Sequence, residues 1–171
     1  LDKEEQIDII STKNSTYGYL AVNGGFDLEK KWGSYSINTK ANIGPNNGKK
    51  YSLNDKIFIK KSDTKNIIKR KINYIYSPDN IIRIIKGTNF HYFSKDAIDK
   101  FFNEDFLITN LVDRMGMRLK GPKLENIVST NIKSEGLVRG VIQVPADGNP
   151  IIMLSDHGTV GGYPKIGVVI T

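Results

Sequence analysis

Four chemically active side chains, Asp156, His157, Thr159 and Lys165, crowd into LSDHGTVGGYPKI (Leu154–Ile166), bracketed by the apolar runs PIIML and KIGVVIT. A polar knot between two strand-like segments projects its side chains from a rigid scaffold, the usual setting for sites on loops. Gly161 and Gly162 can turn backbone N–H groups toward an anion, and Pro164 fixes the chain just before Lys165. Lys165 opens a run containing Ile166, Val168 and Val169, so if that strand is buried its ammonium needs a compensating partner. Asp156 is the candidate acid. His157 could serve as an acid or a base near neutral pH. The plainer alternative is a tight hairpin in which acid and lysine merely pair across the turn and the histidine is an exposed bystander.

Two further clusters carry possible chemistry. In VDRMGMRLKGPKL (Val112–Leu124), Asp113, Arg114 and Arg118 surround a glycine. The planar guanidinium fork of Arg114 or Arg118 suits a carboxylate or phosphate, while an Asp113–Arg ion pair that fixes a loop is the simpler expectation. In GSYSINTKANIG (Gly33–Gly44), Ser34, Ser36, Thr39 and Lys40 could line a phosphate pocket, although alternating hydroxyls are also normal on the wet face of an antiparallel strand. The chain has no cysteine, which removes thiolate nucleophiles, disulfides and zinc–cysteine sites, and it has only His91 and His157 as nitrogen ligands. No metal site is expected.

The elements that must position these residues read as β. Short β-branched or aromatic runs bounded by Gly, Pro and Asn recur at Ile7–Thr12, Tyr17–Val22, Lys56–Lys60, Asn80–Gly87, Phe106–Asn110, Gly136–Pro145, Pro150–Leu154 and Lys165–Thr171. One segment, SKDAIDKFFNE, reads as a helix. Ser94 is its N-cap, Asp96 sits at its positive end, and Ile98, Phe101 and Phe102 share a face. The 171 residues suffice for a hydrophobic core, as one domain or two small ones. The net charge of +7 invites a nucleic-acid reading, but much of it sits in KKSDTKNIIKRK (Lys60–Lys71), a linker-like tract rich in Asn, Asp and Ser. Neither nucleic acid nor membrane is the expected partner, since no apolar run approaches the length of a membrane span. The expected organisation is a β lobe over residues 1–60, a polar linker over 61–79 and a second β lobe over 80–171.

The order NGGFD, GSYSINTKANIG with NGKKYSLNDKI, DRMGMRLKGPKL and SEGLVRGVIQVPADGNPIIMLSDHGTVGGYPKIG resembles the family called allophanate hydrolase subunit 2. That family includes the C-type subunit of the bacterial ATP-dependent 5-oxoprolinase, an antagonist of a sporulation-kinase inhibitor, and half of the carboxyltransferase domain of urea amidolyase. The resemblance runs from about Tyr19 to Ile170. It implies a mainly β, cyclophilin-like barrel architecture with one short helix, as a fragment of a larger two-lobed protein. It also implies catalytic roles for Asp156, Lys165 and Arg114, with substrate or anion binding by Gly24, Gly25, Lys40, Arg118, Gln143, His157, Thr159, Gly161, Gly162 and Tyr163. His157 and Lys40 stand where relatives usually carry arginine, which loses fork geometry at both positions. The implied activity is opening of a cyclic amide with ATP and magnesium, in a cytoplasmic complex with a homologous subunit-1-like partner and a lactam-hydrolase subunit. Two alternatives are carboxyl transfer to a urea-like substrate, with biotin carried on another domain, and a non-catalytic regulator that binds a kinase inhibitor.

Overall fold

The computed structural model describes residues 18–62 and 81–170. The chain divides into two compact units, Leu1–Asn73 and Tyr74–Thr171. The expected strand at Ile7–Thr12 lies outside the described residues, as does the expected linker over 61–79 apart from its first two positions.

In the first unit the described residues pair only through isolated bridges, Phe26 with Ile59, Lys31 with Ser34, and Asn38 with Ile43. Among the described residues, the runs expected as strands at Tyr17–Val22 and Lys56–Lys60 therefore contribute a single bridging residue, Ile59. The NGGFD turn is fastened to that bridge: Asp27 N–H donates to Phe58 O at 2.8 Å and Lys60 N–H to Gly25 O at 3.0 Å. A one-turn 3-10 helix, Asn46–Gly48, follows.

The second unit is a six-stranded antiparallel sheet with a separate two-stranded ribbon. Its strands are β1 (Ile84–Lys86), β2 (Leu107–Val112), β3 (Gly116–Lys120), β4 (Glu135–Gly136), β5 (Val141–Gln143), β6 (Ile151–Met153), β7 (Val160–Gly161) and β8 (Lys165–Val169). The sheet order is β1-β8-β5-β6-β3-β2, and β4 pairs with β7 in the ribbon. Central strand β5 is buried on both faces. Ile142 and Val144 join Phe93, Ala97, Leu124 and Ile166 in one cluster, while Val141 joins Leu137, Ile151 and Met153 in another. The run Gly136–Pro145 is not one strand, because a turn at Arg139–Gly140 divides it between ribbon and sheet.

The helix, α1 (Lys95–Asn103), covers the first cluster, and the Ser94 side chain accepts the Ala97 N–H at 3.0 Å as its cap. Its buried face is Ala97, Ile98 and Phe101. Phe102 departs from the sequence expectation, being 54% exposed, since a step of 100° per residue carries it off that stripe. Between β5 and β8 the register slips: Ile142 faces Gly167, yet Gln143 faces Lys165, leaving Ile166 as the extra residue of a bulge. Such a bulge re-aims the side chain beside it. Here it puts Lys165 and Gln143 opposite each other at the start of β8.

Candidate functional site

Lys165 is 3% exposed, and all three hydrogens of its ammonium have acceptors. Nζ lies 3.1 Å from Gly161 O, 3.1 Å from Tyr163 O and 3.2 Å from Glu135 Oε2. The carboxylate partner is thus Glu135 and not Asp156. The β4–β7 ladder sets Glu135 opposite Gly161, and Lys165 turns back toward the same point. Sequence proximity pointed to Asp156, but tertiary pairing across thirty positions supplied the acid.

A loop braces this knot from the other side. Gly87 N–H donates to Ile166 O at 3.0 Å and Asn89 N–H to Lys165 O at 3.3 Å. A Cβ on Gly87 would collide with the Lys165 carbonyl, so only glycine allows the two backbones to run this close. Asn89, 4% exposed, accepts the Lys165 N–H at 3.1 Å through Oδ1 and donates through Nδ2 to Glu135 Oε1 at 3.2 Å. The Thr88 hydroxyl lies 3.1 Å from Glu135 Oε2 and 3.3 Å from Asn89 Oδ1, and its single hydrogen favours the shorter, charge-assisted bond. The Asn89 hydrogen bond, with those of Lys165 and Thr88, holds the Glu135 carboxyl below the usual carboxylate range. Gln143, 5% exposed, packs its amide directly on Gly161, and its Nε2 has no hydrogen-bond partner among the described residues.

Arg114 and Asp156 form a second, separate clasp. Arg114 Nε donates to Asp156 Oδ2 at 2.7 Å and its terminal nitrogen to Oδ1 at 3.0 Å, a bidentate fork. The backbones are tied as well, Asp156 N–H to Arg114 O at 2.8 Å and Leu154 N–H to Met115 O at 3.0 Å. The hydrogen bond from Arg114 lowers the Asp156 pKa. Asp113 caps the β2–β3 turn, accepting the Met115 and Gly116 N–H groups through Oδ1. His157 is half-buried, and its Nδ1 lies 2.7 Å from Gly158 O. Facing a carbonyl, Nδ1 carries the hydrogen, leaving Nε2 as the proton acceptor.

The structure therefore distributes the sequence-predicted residues. Gln143, Gly161, Tyr163 and Lys165 meet in the knot, Arg114 and Asp156 in the clasp, and His157 follows Asp156 in the chain. Gly162 O accepts the Ile132 N–H and Thr159 O the Leu137 N–H, so both residues fasten the signature loop through backbone. Arg118 lies exposed on β3. Gly24, Gly25 and Lys40 belong to the first unit. Glu135, Asn89 and Thr88 were missed by sequence reasoning, and the one available signal was the demand of a buried lysine for an acid. A hollow of about 410 Å³ bordered by Arg139, Met153, Leu154, Val169 and Ile170 takes in none of the predicted residues. Among the described residues no cluster of three or more His, Cys, Asp or Glu could hold a metal ion, and no helix is long and apolar enough to cross a membrane.

The sequence pattern of the family described as "Carboxyltransferase domain, subdomain A and B" matches residues 1–171. The chain belongs to that family. This agrees with the resemblance to allophanate hydrolase subunit 2 and with the mainly β fold and single α-helix of the described residues. The C-type subunit of 5-oxoprolinase from Escherichia coli (strain K12) is 34% identical over 152 residues, 89% of this chain and 49% of that protein. Its counterpart in Haemophilus influenzae, likewise a C-type subunit of 5-oxoprolinase, is 31% identical, over 92% of this chain and 50% of its own length. The chain thus spans about half the length of these curated relatives. The crystal structure of the K. lactis urea amidolyase shares the fold, with a TM-score of 0.66 at 22% identity over 86% of this chain and 10% of that one. These similar proteins are named as subunits of 5-oxoprolinase or as urea amidolyase.

Proposed function

We propose that this chain is part of the C-type subunit of an ATP-dependent lactam hydrolase of the 5-oxoprolinase type, working with a homologous partner subunit and a lactam-hydrolase subunit. The similarity to the C-type subunit of 5-oxoprolinase over 89% of the chain carries this reading. In the reaction class concerned, water adds to a cyclic amide carbonyl, the C–N bond breaks, and a carboxylate and an amine result. Charge develops on the amide oxygen, and a proton must leave the attacking water. The His157 imidazole, with Nε2 as its proton acceptor, and the ionised Asp156 held by Arg114 are the groups this chain offers for that proton and for orienting the substrate. Lys165 acts indirectly, pinning the carbonyls of Gly161 and Tyr163 and so shaping the glycine pair.

The residues of the signature loop do not fit magnesium–ATP. Lys165 has all three donors engaged, Arg114 is matched by Asp156, and no acidic cluster for the metal exists among the described residues. No step through the nucleotide is assigned to this loop.

Carboxyl transfer to a urea-like substrate is the second reading, favoured by the family description and by the urea amidolyase fold. There biotin would arrive on another domain. The test is to copurify the full-length protein with its homologous partner and the lactam-hydrolase subunit, then follow 5-oxoproline-dependent ATP hydrolysis and the amino acid formed. Stoichiometric release of glutamate and phosphate supports the first reading. A folded complex that is silent with 5-oxoproline but consumes carboxybiotin when urea is added replaces it with the second.

A further inference from the structure

The environment of Glu135 has the form of a receptor. Its Oε1 accepts from Asn89 Nδ2 at 3.2 Å, and its Oε2 lies 3.1 Å from Thr88 Oγ1 and 3.2 Å from Lys165 Nζ. Both oxygens of a planar carboxylate are thereby addressed, by one cation, one amide and one hydroxyl. Asn89 and Lys165 are nine-tenths buried or more; Lys165 stands on the main sheet, and the loop 87–89 that carries Thr88 and Asn89 is bonded to the first residues of β8. The carboxylate comes from elsewhere. Glu135 belongs to the two-residue ribbon strand outside that sheet, and 40% of its side chain remains exposed. Rigid buried donors therefore meet an acid that enters from the solvent side.

We propose that Thr88, Asn89 and Lys165 form a binding site for a small carboxylate, which Glu135 fills from within the chain and which a free carboxylate takes when Glu135 withdraws. The physical reason is the state left behind. Without Glu135 a cation 3% exposed loses its counter-charge, and Asn89 Nδ2 loses its acceptor. Both penalties favour uptake of an anion of matching geometry. The inference goes beyond the proposed function and places no substrate here: while Glu135 is seated Lys165 remains a structural anchor, and the guest is defined only as a small carboxylate.

The test uses the full-length protein and reads stability, so its failure is distinct from a failure of turnover. Thermal unfolding of Glu135→Ala is measured against sodium acetate, with chloride holding ionic strength constant. The expected result is a saturable rise in Tm of roughly 2–5 °C at acetate ten times its Kd, absent in the wild type and in Glu135→Ala/Asn89→Ala. If Glu135→Ala fails to fold in chloride, refolding is compared in acetate and chloride, and recovery in acetate alone supports the site. Equal shifts in all three proteins, no shift in Glu135→Ala, or recovery in neither salt overturns the proposal and leaves Glu135 as a structural counter-ion.

Discussion

The knot at Lys165 and the clasp at Arg114 are both salt bridges within the second unit, yet burial gives them opposite characters. Lys165 is enclosed, and its partners include two backbone carbonyls. Arg114 and Asp156 keep 62% and 36% of their side chains in solvent. Breaking a buried pair leaves stranded polar groups, whereas breaking an exposed one hands both partners to water. The knot is thus the structural anchor of the signature loop, and the clasp is its chemically available edge. Substitutions that separate stability from turnover test this division.

The largest effect is expected from Lys165→Met. It leaves Glu135 without its cation and the carbonyls of Gly161 and Tyr163 without their donor, at a cost of about 3 kcal/mol, and so lowers Tm by roughly 6–12 °C. Calorimetry of the variant reads this directly, and a Tm within about 2 °C of wild type would show that the knot anchors nothing. Gly161→Ala comes next. Its Cβ would overlap the Gln143 amide, which is enclosed and has little room to retreat. Overpacking of this kind costs about 1–3 kcal/mol. Gln143→Ala in the same chain should recover part of the loss, and a double-mutant cycle with no coupling would break the assignment.

What the sequence made legible follows the range of each interaction. The capped helix was readable because Ser94 and Ala97, and Ile98 and Phe101, are local partners, and the strands Ile151–Met153 and Lys165–Val169 were readable within apolar runs. Phe102 was misplaced because the buried stripe centres on Ala97, Ile98 and Phe101, and the next 100° step carries Phe102 to the exposed side. That Lys165 needs an acid also followed from the sequence. Which acid did not, because Glu135 reaches it only through a two-residue ladder and a bulge that no periodicity encodes. Arg114 and Asp156 were both named, yet their mutual pairing came from the adjacency of the β2–β3 turn and the chain after β6.

Acid titration sharpens the same comparison. The Glu135 and Asp156 carboxyls both lie below their ordinary values, Glu135 through Asn89 and Asp156 through Arg114. The unfolded chain therefore takes up protons first as pH falls. The stabilisation from each ionised group is present above about pH 4–4.5 and is lost as pH drops through the folded value. Tm measured from about pH 7 down to about pH 3 should fall steeply in the wild type and less steeply in Glu135→Gln. Identical profiles would mean that the pair contributes nothing through its ionisation.

The smallest stability effect is expected at the clasp. Asp156→Asn keeps the shape and removes the charge, and the backbone bonds between Asp156 N–H and Arg114 O and between Leu154 N–H and Met115 O persist. An exposed ion pair contributes about 0.2–1 kcal/mol, so Tm should change by no more than about 4 °C and the difference should shrink as salt rises. Turnover is where this variant should differ. If the ionised Asp156 orients substrate or relays a proton, kcat falls by at least about tenfold in the reconstituted complex while the fold stays intact. That pattern is the reverse of Lys165→Met, whose loss of activity should track its loss of folded protein. A clasp variant that is both stable and fully active would move the chemistry away from Asp156 and Arg114.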